Sequence, residues 1–347
     1  MTERYIAVAG PLTGPSQLLG AEMAQAVRLA VDEHCHDDLA LETFDDQGDI
    51  REGERLARAL ARDARCVGVV GHYNSDITLA AAPIYDAARL PLIAPIVSNP
   101  ALTERGMTHI FRFTNRDDRT ADAIAGHLYQ RLGKRTAAVV ATRTTYGTSM
   151  AGEFERAFTA LGGRVPGRYE VDEGQKTFPE LPREADVIFY GGTFEGAPLV
   201  RHIREQGSPR LLATGDGCWD LANFLRPAGP AATEGEGTLV LSATPQLGEV
   251  KGSSQFARRY ERRYGSINNY AANSYDAACM LLNSVAIAGD REETTAALRG
   301  QRFEGIAYGS PSAWDDRGDN LATVTALHEV NNGRFRQVAE YPATAPE

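Results

Sequence analysis

Short apolar runs alternate with amphipathic segments along almost the whole chain. The runs are apolar at consecutive positions and rich in β-branched residues, which is typical of strands buried on both faces of a parallel sheet. The predicted strands are YIAVAG, ALETFDD, CVGVVG, PLIAP and HIFRFT before about residue 119, followed by AAVVAT, GRYEV, VIFYGG, LLATGD and TLVLSA. Helices are predicted between them at 16–34, 51–64, 76–89, 118–132, 147–161 and 195–206. This alternation predicts repeated βαβ units.

In the last third of the chain, strands and helices no longer alternate regularly. Two further helices are predicted at 252–264 and 270–288, and two strands, ATVTALHEV and RFRQVAEY, flank the turn Asn331-Asn332-Gly333. The two sets of units predict an α/β fold of two doubly wound, Rossmann-like lobes, between which the chain crosses more than once. We expect lobe 1 to comprise 1–118 and 249–321, and lobe 2 to comprise 119–248 and 322–347.

Size, composition and charge narrow the class of protein. The chain has 347 residues, a length typical of about two domains, and 43% of them are hydrophobic, an ordinary globular figure. The net charge of -10 argues against nucleic acid or an anionic membrane surface as partner. No apolar run approaches the roughly 20 residues of a membrane-spanning helix.

The chain start and the cysteines leave the compartment open. MTERYIAVAG lacks the cationic and apolar regions of a signal peptide, so either the protein is cytoplasmic or a leader has been removed. None of the four cysteines forms a CxxC pair, which excludes a zinc ribbon or a thioredoxin motif. Cys35 and Cys66 could pair in an exported protein, or be buried free thiols. The triplet His34-Cys35-His36 lacks further ligands nearby, so we predict no metal.

Ligands of doubly wound sheets bind beyond the carboxyl ends of the strands. The segments that follow the predicted strands are PLTGPSQLLG, HYNSD, IVSNP, RTTYG, TFEG and GCWD. They supply hydroxyls, glycines, aromatic rings and an acid, but no GxSxG elbow, Walker loop or GxGxxG motif. We therefore expect loops that bind a ligand, with neither catalysis nor a cofactor.

The stretch GHYNSDIT is the most informative of these loops. A buried strand ends there and a helix begins, and the unpaired backbone N–H groups of a helix N-terminus suit an anion. The alternative is that Ser75 is only a helix N-cap, a position that serine favours.

Several of these loops resemble one family in the same order along the chain. The matching segments are AGPLTGPSQLLGAEMAQAVRLAVDE, FDDQGD, GHYNSDITLAAAPIYDAARLPLIAPIVSNPALT, YGTSMAGEF, YGGT, YDAA and FEGIAYG with WDDRGDN. They resemble the branched-chain amino-acid (Leu/Ile/Val) binding proteins, type I periplasmic binding proteins of ABC importers. The resemblance spans nearly the whole chain. It implies two lobes that close on a ligand, with hinges expected near 115–120, 245–252 and 320–324.

The resemblance implies roles for five residues. Ser75 stands where the family offers a hydroxyl and an N–H to the ligand carboxylate. Val97 and Ser98 stand where it uses a backbone carbonyl or N–H and a second hydroxyl. Tyr146 stands where a tyrosine closes over the ligand, and Asp216 where an acid accepts the ligand ammonium.

The resemblance also implies an altered side-chain pocket. Thr193 stands where members often have a large aromatic residue, while Tyr73 and Trp219 are bulky at flanking positions. Tyr275 and Leu19 are further candidates for ligand contact. A larger, flatter side chain than that of leucine would fill such a pocket.

Less specific interpretations of the same residues stay open. Asp216 could cap a short helix, Ser98 could be a turn serine, and the tyrosines could be core residues. The acid pair Asp45-Asp46 fits Asx turns better than a calcium site or a catalytic dyad.

The predicted function is a non-catalytic solute-binding protein for an amino acid or a related molecule. The implied partner is an ABC transporter permease, and the implied location is periplasmic or extracellular, lipid-anchored or free, if a leader was removed. The alternative is a cytoplasmic ligand sensor of the same fold, which uses closure to regulate a partner protein.

Overall fold

A computed structural model describes residues 4–34, 39–268 and 270–342. The described residues form two compact units, which we call lobe 1 (4–115 and 244–323) and lobe 2 (116–243 and 324–342). Within these described ranges twelve strands form, one at each predicted position, and the predicted α/β class is confirmed.

The helices lie between the strands in chain order. They are α1 (Gln17–His34), α2 (Ile50–Arg62), α3 (Ser75–Ala87), α4 (Asp117–Gly126), α5 (Thr145–Ala160), α6 (Gly196–Glu205), the short α7 (Arg226–Ala228), α8 (Ser253–Tyr264), α9 (Ala271–Ala286) and α10 (Arg291–Gly300). Eight of them overlap predicted helices, and α7 and α10 were not predicted. None of the helices that the structure describes is long and apolar enough to span a membrane.

The sheet of lobe 1 has five parallel strands. They are β1 (Arg4–Gly10), β2 (Leu39–Asp45), β3 (Cys66–Gly71), β4 (Leu92–Ala94) and β5 (Ile110–Arg112), in the order β2-β1-β3-β4-β5. The order reverses between β1 and β3, because the chain proceeds from β1 to one side of the sheet and from β3 to the other. In such sheets this switch point is where ligands bind.

The sheet of lobe 2 has seven strands. They are β6 (Thr136–Thr142), β7 (Arg164–Val171), β8 (Val187–Gly191), β9 (Leu211–Thr214), β10 (Thr238–Ser242), β11 (Val324–Asn331) and β12 (Arg334–Pro342). The order is β12-β11-β10-β9-β8-β6-β7; β11 pairs antiparallel with both β10 and β12, while the other pairs are parallel. Here the order reverses between β6 and β8, which gives lobe 2 a switch point of its own.

Burial on both faces explains why the strands are apolar at consecutive positions. In β6, Ala138 and Val140 join one hydrophobic cluster of lobe 2, while Val139 and Ala141 join another. Successive side chains of a strand point to opposite faces, so both faces of this sheet are covered by apolar groups. Every residue of β3 in lobe 1 is buried as well.

Three of the cysteines, Cys66, Cys218 and Cys279, are buried thiols. Burial raises the pKa of Cys66 to about 12. Cys35 lies outside the described residues, so its predicted alternatives stay predictions.

Candidate functional site

In lobe 1 the loops that were expected to bind the ligand leave one edge of the sheet. Ala9 pairs with Gly71 and Val70 with Ile93, so β1, β3 and β4 end close together. We call the loops 11–16, 72–75 and 95–99 the lobe 1 face.

Ser75 is the first residue of α3, and Asn74 occupies the N-cap position before it. The residue is 8% exposed, and its hydroxyl has no hydrogen-bond partner among the described residues. The hydroxyl therefore does not cap α3, and the alternative that Ser75 is only a cap is wrong. A buried serine without a partner at the start of a helix is a donor available to a ligand.

Ser98 shows the same combination. It is 4% exposed, and neither its hydroxyl nor its backbone N–H has a hydrogen-bond partner in the described part of the chain. The turn that follows (Pro100–Leu102) is capped by Asn99, whose Oδ1 accepts from the Ala101 N–H at 3.0 Å. Ser98 is therefore not the serine that stabilises this turn. The Val97 carbonyl is directed toward Arg112 and accepts a long hydrogen bond of 3.5 Å from Arg112 Nη1.

The acid pair at the end of β2 organises the neighbouring loops. Asp45 Oδ1 accepts from the Leu12 N–H at 2.8 Å, and Oδ2 accepts from the Thr13 hydroxyl at 2.7 Å. Burial raises the pKa of Asp45, but these and other hydrogen bonds outweigh it, and the net effect lowers that pKa. Asp46 Oδ2 lies 2.7 Å from Nδ1 of the fully buried His72. Both acids thus bind groups of the loops themselves.

Tyr73 and Leu19 lie near the same edge. Tyr73 is half-buried in the loop before α3, and Leu19 is half-buried in the first turn of α1. Their positions are compatible with the predicted ligand contacts, which stay predictions.

Tyr275 lies elsewhere, and the structure corrects its predicted role. It is 5% exposed within α9, which packs along α1, and its hydroxyl contacts Glu33 Oε2 at 2.6 Å and His34 Nε2 at 2.7 Å. Those two residues end α1, whereas the lobe 1 face adjoins the beginning of that helix. A helix of 18 residues spans roughly 27 Å, so Tyr275 is far from the ligand loops. It is a core tyrosine with a satisfied hydroxyl.

In lobe 2 three loops also leave one edge of the sheet. Ala141 pairs with Gly191 and Tyr190 with Thr214, so β6, β8 and β9 end together. We call the loops 143–146, 192–195 and 215–220 the lobe 2 face.

Tyr146 and Asp216 are joined directly on this face. The Tyr146 hydroxyl donates to Asp216 Oδ1 at 2.6 Å and accepts from the Gly217 N–H at 2.9 Å. Tyr146 is held in the first turn of α5, where the Thr144 hydroxyl caps the helix by accepting from the Gly147 N–H at 3.0 Å. Asp216 is the first residue of a 3-10 turn whose N-cap is Gly215. Its carboxylate therefore does not cap that turn.

Thr193 comes close to the same pair through Gly217. A Cβ placed on Gly217 would lie 2.9 Å from Thr193 Cγ2 and 2.9 Å from Tyr146 Cε1. The glycine thus lets the Asp216 loop pass between the two side chains. Sequence reasoning missed this glycine, although a glycine directly after a strand-end acid is a signal of close backbone approach.

The structure corrects the prediction that Trp219 flanks the ligand pocket. Trp219 is 2% exposed, and its ring lies 3.8 Å from the His328 ring and 4.5 Å from the Phe335 ring between centroids. Both partners belong to the antiparallel strands β11 and β12. Because a large ring gains most by leaving water, Trp219 packs into the core of lobe 2 and offers no aromatic wall to a ligand.

The two faces present polar groups of opposite character. The lobe 1 face presents hydroxyls and backbone N–H groups, which donate to an anion, and the lobe 2 face presents a carboxylate, which accepts from a cation. Among the described residues, no group of three or more His, Cys, Asp or Glu side chains could hold a metal ion.

Comparison with known proteins shows the family of this chain. The sequence profile described as "Periplasmic binding protein" matches residues 4–334. The chain belongs to this family of solute-binding proteins, and the resemblance found in the sequence is confirmed.

The matches to curated relatives cover most of this chain and most of each relative. The "Leu/Ile/Val-binding protein homolog 1" of Brucella melitensis is 26% identical over 338 residues, which are 93% of this chain and 89% of the relative. The "Amino acid binding protein" of Pseudomonas aeruginosa is 25% identical over 353 residues, 97% of this chain and 93% of the relative.

Solved structures share the fold. The leucine-binding protein LivK of Thermotoga maritima superposes with a TM-score of 0.86 at 23% identity, covering 98% of this chain and 99% of its own. An ABC transporter substrate-binding protein of Desulfitobacterium hafniense, in complex with Leu, superposes with a TM-score of 0.79 at 26% identity, covering 97% and 100%.

Proposed function

We propose that this protein is the receptor of an ABC importer, which closes on an amino acid or an amino-acid-like molecule and does not alter it chemically. It acts outside the cytoplasm and passes its solute to a permease. Relatives and a structural neighbour whose names specify leucine, isoleucine or valine support the class of ligand.

The observation that carries the proposal is the pair of serines on the lobe 1 face. Ser75 and Ser98 are 8% and 4% exposed, and neither hydroxyl has a partner among the described residues. Because neither hydroxyl is engaged by the fold, both can donate to a bound anion at the carboxyl ends of the strands. A carboxylate fits this position, because hydroxyls and N–H groups bind it without leaving a buried charge when the site is empty.

On the lobe 2 face, the family resemblance makes Asp216 the acceptor for the ligand ammonium. Asp216 is 7% exposed and is oriented by Tyr146, so it can accept hydrogen bonds from an ammonium group. A ligand with both groups is an α-amino acid or an analogue. Thr193 and Tyr73 would then contact its side chain.

The test is the double variant Ser75→Ala/Ser98→Ala. We expect normal folding and a loss of roughly 2–4 kcal/mol of binding free energy for the amino acid selected in a thermal-shift screen. Ser284→Ala is the control, because Ser284 is also a buried serine of lobe 1 but donates to the Met280 carbonyl. Unchanged affinity in the double variant would place the carboxylate elsewhere.

A separate experiment tests whether the protein alters its ligand chemically. Mass spectrometry should recover the bound amino acid unchanged after long incubation with stoichiometric protein. Any turnover would contradict a receptor without catalytic activity.

A further inference from the structure

A buried arginine lies directly behind the loop that carries Ser98. Arg112, the last residue of β5, is fully buried, and its guanidinium is surrounded by oxygen atoms. Nη1 donates to the Asn99 carbonyl at 2.5 Å and Nη2 to the Pro100 carbonyl at 3.2 Å. With the longer bond to the Val97 carbonyl, one side chain holds three carbonyl groups of the loop.

The same guanidinium is neutralised and aligned by two further residues. Nε donates to Asp319 Oδ1 at 2.8 Å, and Nη2 donates to the Thr103 hydroxyl at 2.6 Å. That hydroxyl in turn donates to Asp319 Oδ1 at 2.8 Å. Because Asp319 compensates the charge, Arg112 acts on the loop chiefly by geometry and only weakly by attraction of an anion.

The contact between Arg112 and the Val97 carbonyl determines the direction in which the Ser98 N–H points. In a planar trans peptide the carbonyl of one residue and the N–H of the next point to opposite sides. Since the Val97 carbonyl is directed toward Arg112, the Ser98 N–H is directed away from it. That N–H has no acceptor among the described residues.

We propose that Arg112 is a positioning residue for ligand binding: by holding the carbonyl groups of loop 97–100 on one side, it directs the Ser98 N–H toward the ligand carboxylate on the other. This inference rests on the proposed function of Ser98. Arginine suits the role because its planar fork binds several oxygen atoms at fixed angles, which the single ammonium group of lysine cannot do.

Two variants test the proposal with a shared control. Arg112→Lys keeps the charge and most of the buried stem but loses the fork. Thr103→Val is nearly isosteric and removes the hydroxyl that links Arg112 to Asp319. Thr295→Val is the control, because Thr295 is similarly buried in lobe 1 but donates only within α10, to the Arg291 carbonyl.

The first measurement needs no ligand. Hydrogen exchange of the peptide covering 97–103 should become several-fold faster in Arg112→Lys and Thr103→Val, because the amides of Leu102 and Thr103 bond within the loop. Peptides from β3 should keep their protection, and Thr295→Val should leave the loop unchanged. Unchanged exchange of the loop in both variants would overturn the proposal.

The second measurement separates positioning from mere stabilisation. Calorimetry would compare L-leucine and L-phenylalanine with their C-terminal amides, which lack the carboxylate charge. We expect the preference for the acid over the amide to fall about tenfold in both variants, as one charge-assisted bond is lost, and to persist in Thr295→Val.

The outcomes distinguish this inference from the function on which it rests. A lower melting temperature with an unchanged acid-to-amide ratio would make Arg112 purely structural and overturn its positioning role. If the unsubstituted protein does not prefer acid to amide, the proposed carboxylate site itself fails, and the positioning role fails with it.

Discussion

The Tyr146 hydroxyl donates a hydrogen bond of 2.6 Å to Asp216 Oδ1 while it accepts one of 2.9 Å from the Gly217 N–H. The direction of both bonds is fixed, since an amide N–H can only donate and a carboxylate can only accept. The single hydroxyl hydrogen of Tyr146 is therefore committed to Asp216. Tyr146 orients the acid that we expect to bind an ammonium group.

Tyr146→Phe should weaken binding of the amino-acid ligand about tenfold. The change removes the donor that orients Asp216 and leaves the Gly217 N–H without its acceptor. The Asp216 carboxylate must then lose conformational freedom when the ligand binds, and this cost lowers the affinity. Calorimetry would measure the affinity. Tyr264→Phe is the control, because the Tyr264 hydroxyl is buried in lobe 1 without a partner among the described residues. Equal or tighter binding by Tyr146→Phe would show that the hydroxyl competes with the ligand.

Asp216→Asn should reduce the preference for amino acids over their deaminated analogues. Asparagine keeps an oxygen for the Tyr146 hydroxyl but loses the charge that favours an ammonium group, worth roughly 1.5–3 kcal/mol. The pairs to compare are phenylalanine with phenylpropionate and leucine with 4-methylpentanoate. Tighter binding of the deaminated member by the unsubstituted protein would refute the role of Asp216, although the serines of lobe 1 could still bind a carboxylate.

The strands could be predicted because their signal is local and strong. Runs such as CVGVVG are buried at every position, which leaves few alternatives. Helix α10 was missed because its buried residues are Thr294, Thr295 and Leu298, a weak apolar stripe. Its start did carry a signal, since Asp290 accepts from the Glu293 N–H at 2.9 Å in a capping arrangement that the sequence shows as D-x-x-E.

The site was predictable as a set of loops but not as a set of side-chain directions. Strand-end segments can be read from the strand pattern, and Ser75, Ser98, Tyr146 and Asp216 all lie on them. Whether an aromatic residue after a strand turns to the edge or to the core depends on distant partners, as His328 shows for Trp219. The loop contacts of Arg112 are mostly with backbone carbonyls, which every residue carries, so no sequence pattern marks them.

Gly217→Ala should disrupt the lobe 2 face. The added Cβ would lie 2.4 Å from the Gly192 carbonyl oxygen, a backbone atom that cannot yield without moving the neighbouring loop. We expect a loss of stability of roughly 1–3 kcal/mol and weaker ligand binding. Gly126→Ala in α4 is the control: its Cβ would meet nothing within 4 Å, and the effect should be neutral or stabilising by about 0.5–1 kcal/mol. Thermal and urea unfolding would check both. Normal binding by Gly217→Ala would mean that the loop position does not matter.

His328 should make folding sensitive to mild acid. Burial lowers its pKa from 6.5 to about 4, so the folded protein keeps the ring neutral. Between these values the unfolded chain binds the proton more readily, and stability present above about pH 6.5 is lost as the pH falls toward 4, by up to roughly 3 kcal/mol. His328→Phe keeps a ring against Trp219 and cannot titrate. Urea unfolding at pH 7.5 and 5 should therefore show a smaller difference for the variant, and equal differences would exclude this contribution.

Asp276 in lobe 1 should make the folded protein less stable as the pH rises, which is opposite to the effect of His328. Its Oδ2 accepts from the Ile306 and Ala307 N–H groups, both at 2.8 Å, while its buried Oδ1 has no partner among the described residues. Burial raises its pKa from 3.8 to about 7, although the two backbone bonds lower it. The folded protein therefore holds this proton more tightly than the unfolded chain. The resulting stability is fully present below about pH 4 and is lost as the pH rises through about 7.

Asp276→Asn tests this prediction, because asparagine keeps an oxygen for the two N–H groups and cannot ionise. The variant should be more stable than the unsubstituted protein at pH 8, by roughly 4 kcal/mol, and this gain should disappear near pH 4. Urea midpoints of both proteins at several pH values would give the difference, in which the contribution of His328 cancels. Asp316→Asn, at an exposed position, should show no such trend. A variant that is less stable at every pH would mean that the Asp276 carboxylate is bound as an ion by the fold.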